Sequence, residues 1–146
     1  VDSIVSRDAS LTLEWGDGEH VFRLRHGELI ELQEKTDAGP MWILTRMMTP
    51  TPENRGWRVE DIREVIRLGL IGGGMEPGKA LRLIRSYVDP RPPMENLLFA
   101  QSILAAGIMG VPDDQPQKKS AVASMKSTRS RAASGDGPPS SEPVPQ

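Results

Sequence analysis

The sequence contains no cysteine, so disulfides, thiolate zinc sites and cysteine nucleophiles are excluded. Histidine is nearly absent too: His20 and His26 are the only two, which rules out a His-rich metal centre. Aromatic residues number six (Trp15, Phe22, Trp42, Trp57, Tyr87 and Phe99), so a base-stacking surface would need several of a small stock to be exposed. No apolar run approaches the roughly 20 residues a membrane helix needs, and no membrane span is expected. Val1 to Ser10 has an early acid and no basic start followed by an apolar run, so no signal peptide is expected and a cytoplasmic location is. The net charge of −2 gives no global reason to expect nucleic acid as a partner.

What is present changes character along the chain. From Pro112 to Gln146 the sequence holds six prolines, seven serines and two glycines, and it has no leucine, isoleucine or aromatic residue. Such a segment buries too little apolar surface to offset the entropy of ordering it, so residues 112–146 read as a disordered Ser/Pro/Lys-rich tail. Of the eighteen basic and twenty acidic residues, five and four lie in that tail, leaving the first 111 residues at −3. The tail's cations (Lys118, Lys119, Lys126, Arg129 and Arg131) sit among serines. They read as a solvated terminus or, alternatively, as a contact for an anionic partner. Residues 1–9 read as a flexible leader, and residues 10–111 as one domain near the commonest size.

Within that domain, Leu11, Leu13 and Trp15 alternate with polar residues, Gly16-Asp17-Gly18 follows, and Phe22 and Leu24 then alternate with arginines. Two period-two runs around a Gly/Asp turn predict a β-hairpin with one apolar face. A lone hairpin is marginal in water, so that face must pack on something. The rest predicts helices over about 27–35, 41–48, 58–71, 77–88 and 94–109, separated by Gly39-Pro40, the 49–56 loop, Gly72-Gly73-Gly74 and the Pro90–Pro93 break. Leu29, Ile30 and Leu32 are expected on the buried side of the first helix. Leu97, Leu98, Leu104, Ala105 and Ile108 are expected to be the core face of the last. The fold class is therefore α+β: an N-terminal β-hairpin followed by a small bundle of four or five short α-helices, then a disordered C-terminal tail.

Candidate chemistry is thin. Gly72-Gly73-Gly74 follows a helix and lacks the Lys and Ser/Thr of a phosphate loop, so it reads as a helix stop. His20 and His26 have no recognisable nucleophile partner and read as ordinary hairpin and helix-start residues. Glu28, Glu31 and Glu34 recur every three residues. Paired carboxylates can do acid–base work, but on a short amphipathic helix they read as a solvated face. No catalytic, cofactor-binding or metal-binding residue is assigned, and no enzyme is expected. The methionines stand out, because Met41, Met48, Met75, Met94 and Met109 lie at or near helix ends or breaks. Met fills gaps in small cores, and it also serves surfaces that accept varied partners. Met41, Trp42, Leu44, Met47 and Met48 are the candidate protein-binding residues, if they form an exposed patch.

Several segments in order resemble a known family. They are the hairpin ending Val21-Phe22-Arg23-Leu24 with Gly27-Glu28-Leu29-Ile30-Glu31-Leu32-Gln33-Glu34 after it, and the Gly39-Pro40 break with its apolar helix. Then come Val59-Glu60-Asp61-Ile62-Arg63-Glu64-Val65-Ile66-Arg67-Leu68-Gly69-Leu70-Ile71-Gly72-Gly73-Gly74 and a helix ending Ile103-Leu104-Ala105-Ala106-Gly107-Ile108. Over roughly residues 10–111 the chain resembles the small tail-assembly-chaperone-like proteins of gene transfer agents and related phages. The resemblance implies a non-enzymatic role: binding the tape measure protein and supporting tail tube assembly in a gene transfer agent or prophage. It implies contact with tube subunits as well, and many weak sites along one long client predict self-association by avidity. The alternative is a structural tail or neck component retained in the particle. A nucleic-acid adaptor acting through the tail is a third reading; it would show steep salt dependence and be lost on deleting residues 112–146.

Overall fold

The computed structural model describes residues 5–6 and 9–112; only the backbone is described at residues 5, 6 and 112. The remainder of the expected leader (residues 1–4, 7 and 8) and the expected tail from residue 113 onward lie outside the described residues.

The expected hairpin forms from β2 (Leu11–Trp15) and β3 (Gly18–Phe22), paired antiparallel with Leu11 opposite Phe22 and Trp15 opposite Gly18. Gly16 takes φ +65 while Asp17 stays out of the left-handed region, the pattern of a two-residue type II′ turn. Leu11, Leu13, Trp15 and Phe22 face inward and are buried, as period-two alternation requires. β3 ends at Phe22 rather than running on to Arg25, because the next N–H, that of Arg23, donates to Gly69 O at 2.9 Å instead of to a strand. Leu24 is still buried beyond the strand end.

Five helices follow: α1 (His26–Thr36), α2 (Pro40–Met48), α3 (Val59–Gly72), α4 (Pro77–Tyr87) and α5 (Met94–Met109). Local chemistry sets their starts. The third-residue carboxylate of α1, Glu28, accepts from Arg25 N–H at 2.9 Å, and that of α3, Asp61, accepts from Arg58 N–H at 2.8 Å. Pro40 and Pro77 occupy first-turn positions, where a missing N–H has no intrahelical partner. Glu76 caps α4 by accepting from Lys79 N–H at 3.1 Å.

α3 is the hub, packed against α1, α4, α5 and β3. Its Ile62, Val65, Ile66, Leu68 and Leu70 are all buried. Its C-terminal glycines do more than stop the helix. A Cβ on Gly72 would stand 1.8 Å from Arg23 O, and one on Gly73 would stand 2.0 Å from Val21 O. Only glycine lets the end of α3 rest directly on the backbone of β3 and the residue after it.

Two inward assignments need correction. Ile30 is exposed rather than buried, and so is Leu98 on α5, where Ala100, Ile103, Leu104 and Ala106 form the buried face. One pairing lay outside the expectation altogether. β1 (Val5–Ser6) pairs antiparallel with β4 (Val111–Pro112), Val5 opposite Pro112 and Ser6 opposite Val111, which brings two distant parts of the chain together.

Candidate protein-binding surface

α2 is nine residues long and carries one charge, Arg46. That charge is turned inward. Arg46 Nε and Nη2 donate to the two carboxylate oxygens of Asp61, each at 2.8 Å, and the Asp61 side chain has no exposed surface. Asp61 thus serves two elements at once, capping α3 and holding α2. The pair is bidentate and fully hydrogen-bonded, the form in which a buried ion pair is tolerated.

With its charge buried, α2 presents an uncharged outer face. Met41 is 58% exposed, Trp42 48% and Met48 60%. Met41 and Met48 are seven residues apart and share one side of the helix, with Trp42 beside the first. Ile43, Leu44 and Met47 point the other way, and Leu44 and Met47 are only 4% and 2% exposed. The five residues proposed from sequence therefore divide: Met41, Trp42 and Met48 are exposed, whereas Leu44 and Met47 belong to the core.

The neighbouring helix extends this character. Gln101 of α5 donates from Nε2 to Met47 O at 3.0 Å, tying the two helices together. α5 carries a single charge, Glu95, and its apolar residues are spread around the helix rather than along one face. Such a helix is normally covered on all sides, yet Met94, Leu98 and Met109 are exposed. Sequence reasoning took α5 for an ordinary half-buried helix; its lack of charge was the available signal.

The other candidates are placed without forming a reactive site. His20 lies in β3, with Nε2 2.6 Å from Asp17 Oδ1 and its ring edge-on to Trp15 and Phe22. His26 begins α1, so the two histidines sit on different elements. Among the described residues no group of three or more His, Asp or Glu side chains could hold a metal ion.

The glutamates of α1 are not simply a solvated face. Glu28 is gripped by Arg25 at 2.8 and 2.9 Å, and Glu31 meets Arg67 at 3.2 Å. Arg67 also bonds Glu64 at 2.7 Å, and Arg63 bridges Glu64 and Asp89. Burial works against the charge on Arg67, but Glu64 and Glu31 outweigh it and raise its pKa. Hydrogen bonding from Arg25 holds the Glu28 carboxyl below its ordinary range, and that from His20 does the same for Asp17. Glu31 ties α1 to α3 through Arg67, while Glu28 fixes the start of α1 and Asp17 the hairpin turn.

No curated protein and no solved structure matches the chain. A family model described as "Phage tail tube protein, GTA-gp10" matches residues 8–110, which takes in the hairpin, all five helices and both exposed helix faces. That family is structural rather than enzymatic. By a match spanning the hairpin and the whole helical bundle, the chain belongs to the phage tail tube family of gene transfer agents, GTA-gp10.

Proposed function

We propose that this chain is a tail assembly chaperone, which binds the tape measure protein and supports tube assembly in the cytoplasm of the producing cell. The observation that supports this reading is the uncharged surface of α2, Met41, Trp42 and Met48, on a helix packed against α5, which has exposed apolar residues of its own. An apolar surface without charge, rich in flexible methionine, suits a partner helix that offers apolar anchors at helical spacing and varies along its length. A long tape measure protein is such a partner, and repeated weak contacts along it favour self-association of the chaperone and encounter with tube subunits.

Co-expression with the tape measure protein of the same gene cluster tests the reading. The tape measure should become soluble and co-elute with this chain. An equally insoluble tape measure with nothing co-eluting removes the proposal.

The family description supports a second reading, a structural tail component retained in the particle. Stoichiometric recovery of the chain from purified particles would favour it over the chaperone.

A further inference from the structure

α4 presents a one-sign surface. Ala80, Leu83 and Ile84 are buried against the bundle, while Lys79, Arg82 and Arg85 are exposed along the opposite side. They recur every three residues, about 4.5 Å apart along the helix axis, and no acid lies within the helix. On other elements Arg25, Arg46, Arg63, Arg67 and Arg91 each meet a carboxylate. Among the described residues neither Arg82 nor Arg85 has an ion-pair partner.

A groove of about 490 Å³ lies between the hairpin turn and the start of α5. Three carboxylates, Glu14, Asp17 and Glu95, line it against one guanidinium, Arg91, and Tyr87 and Phe99 supply aromatic surface. Arg91 lies 5.5 Å over the Tyr87 ring, so this wall already accepts a guanidinium.

We propose that the Arg82 and Arg85 side of α4 docks into this acidic, aromatic groove on a second copy of the chain. The charges are complementary, and both surfaces belong to one molecule. The two also adjoin: Tyr87, the last residue of α4, lines the groove. Neighbouring complementary surfaces let two copies exchange the same contact in both directions. The inference rests on the self-association in the function proposed above and not on tape measure binding.

Sedimentation of the full chain tests it, with circular dichroism checking that each variant folds. The wild-type chain should self-associate, about tenfold more weakly at 500 than at 50 mM salt. Arg82→Glu/Arg85→Glu should be monomeric, as should Glu14→Lys/Asp17→Lys. An equimolar mixture of the two variants should associate again, because each reversed surface then faces its complement. Self-association that survives both reversals overturns the docking geometry alone, whereas a wild-type monomer at every concentration overturns self-association with it. Loss of association when Lys118, Lys119, Lys126, Arg129 and Arg131 are all replaced by Gln assigns the groove to the tail and overturns the α4 contact. Salt-sensitive binding of a 20-nucleotide oligonucleotide that needs Arg82 and Arg85, with self-association unchanged by their reversal, overturns it in favour of a polyanion.

Discussion

Arg46 and Asp61 join α2 to the start of α3 through two parallel hydrogen bonds of 2.8 Å, in a setting where Asp61 has no contact with water. Removing one partner strands the other's charge. Asp61→Ala should destabilise the domain by about 3–5 kcal/mol in urea unfolding, whereas the joint replacement Arg46→Met/Asp61→Leu should cost well under the sum of the single changes. Part of the residual cost is the lost cap on Arg58 N–H. A double change as severe as the sum of the singles would show that the two residues act independently.

Two glycines should respond in opposite directions. Gly72→Ala forces a Cβ to within 1.8 Å of Arg23 O and must push α3 off β3; a loss of about 3 kcal/mol or more is expected. Gly27, in the first turn of α1, has nothing within 4 Å of its Cβ position, so Gly27→Ala should stabilise by about 0.5 kcal/mol. Thermal melts of the two variants check both signs.

Asn96 is 4% exposed and serves two elements, accepting from Trp15 Nε1 at 2.8 Å and donating to Tyr87 O at 3.0 Å. Asn96→Ala leaves a buried indole N–H without a partner, a loss of about 1–3 kcal/mol. The indole environment should change with it, read by near-ultraviolet circular dichroism.

Glu28 sets an acid limit. Hydrogen bonding from Arg25 places its folded pKa below the ordinary 4.5. A depressed carboxylate contributes stability that is complete above the unfolded value and fades as pH falls through the folded one. The gap in melting temperature between wild type and Glu28→Gln should therefore be constant at pH 6 to 7 and shrink below pH 4.5. A gap that widens on acidification would contradict the assignment.

The exposed residues of α2 should separate stability from binding. Met41→Ser, Trp42→Ser and Met48→Ser each alter solvent-facing side chains and should change stability by within about 0.5 kcal/mol. The triple variant should release the tape measure protein in co-purification. Leu44→Ala and Met47→Ala should instead destabilise by about 2–5 kcal/mol, because both side chains lie in the core.

The elements were legible because apolar periodicity and Gly/Pro punctuation agree along this chain. The hairpin and five helices stand where alternation and helical spacing put them, with ends displaced by only a few residues. What was not legible is what depends on the helices' rotation or on distant partners. Leu29, Ile30 and Leu32 are consecutive enough that spacing alone does not decide which faces in, and the fold leaves Ile30 outside. The apolar residues of α5 are spread around the helix and offer no single periodic face to read, so spacing alone does not show that Leu98 faces out and Ala100 in. Asp61 reads locally as a helix-start acid; nothing near it in sequence announces Arg46. Met41 to Met48 were recognisable as unusual, but only packing divides the three exposed residues from the two buried ones.

The pairing of Val5–Ser6 with Val111–Pro112 closes a span of more than a hundred positions with two residue pairs, one of which includes a proline that has no N–H to give. The hairpin and helices between them are folded in their own right, so the pairing adds only these few bonds. Under tension applied at residues 5 and 112 this pair acts as a clasp. It should yield first, while the bundle gathered around α3 keeps its interior, and a pull along the backbone should lengthen the molecule before it unfolds it.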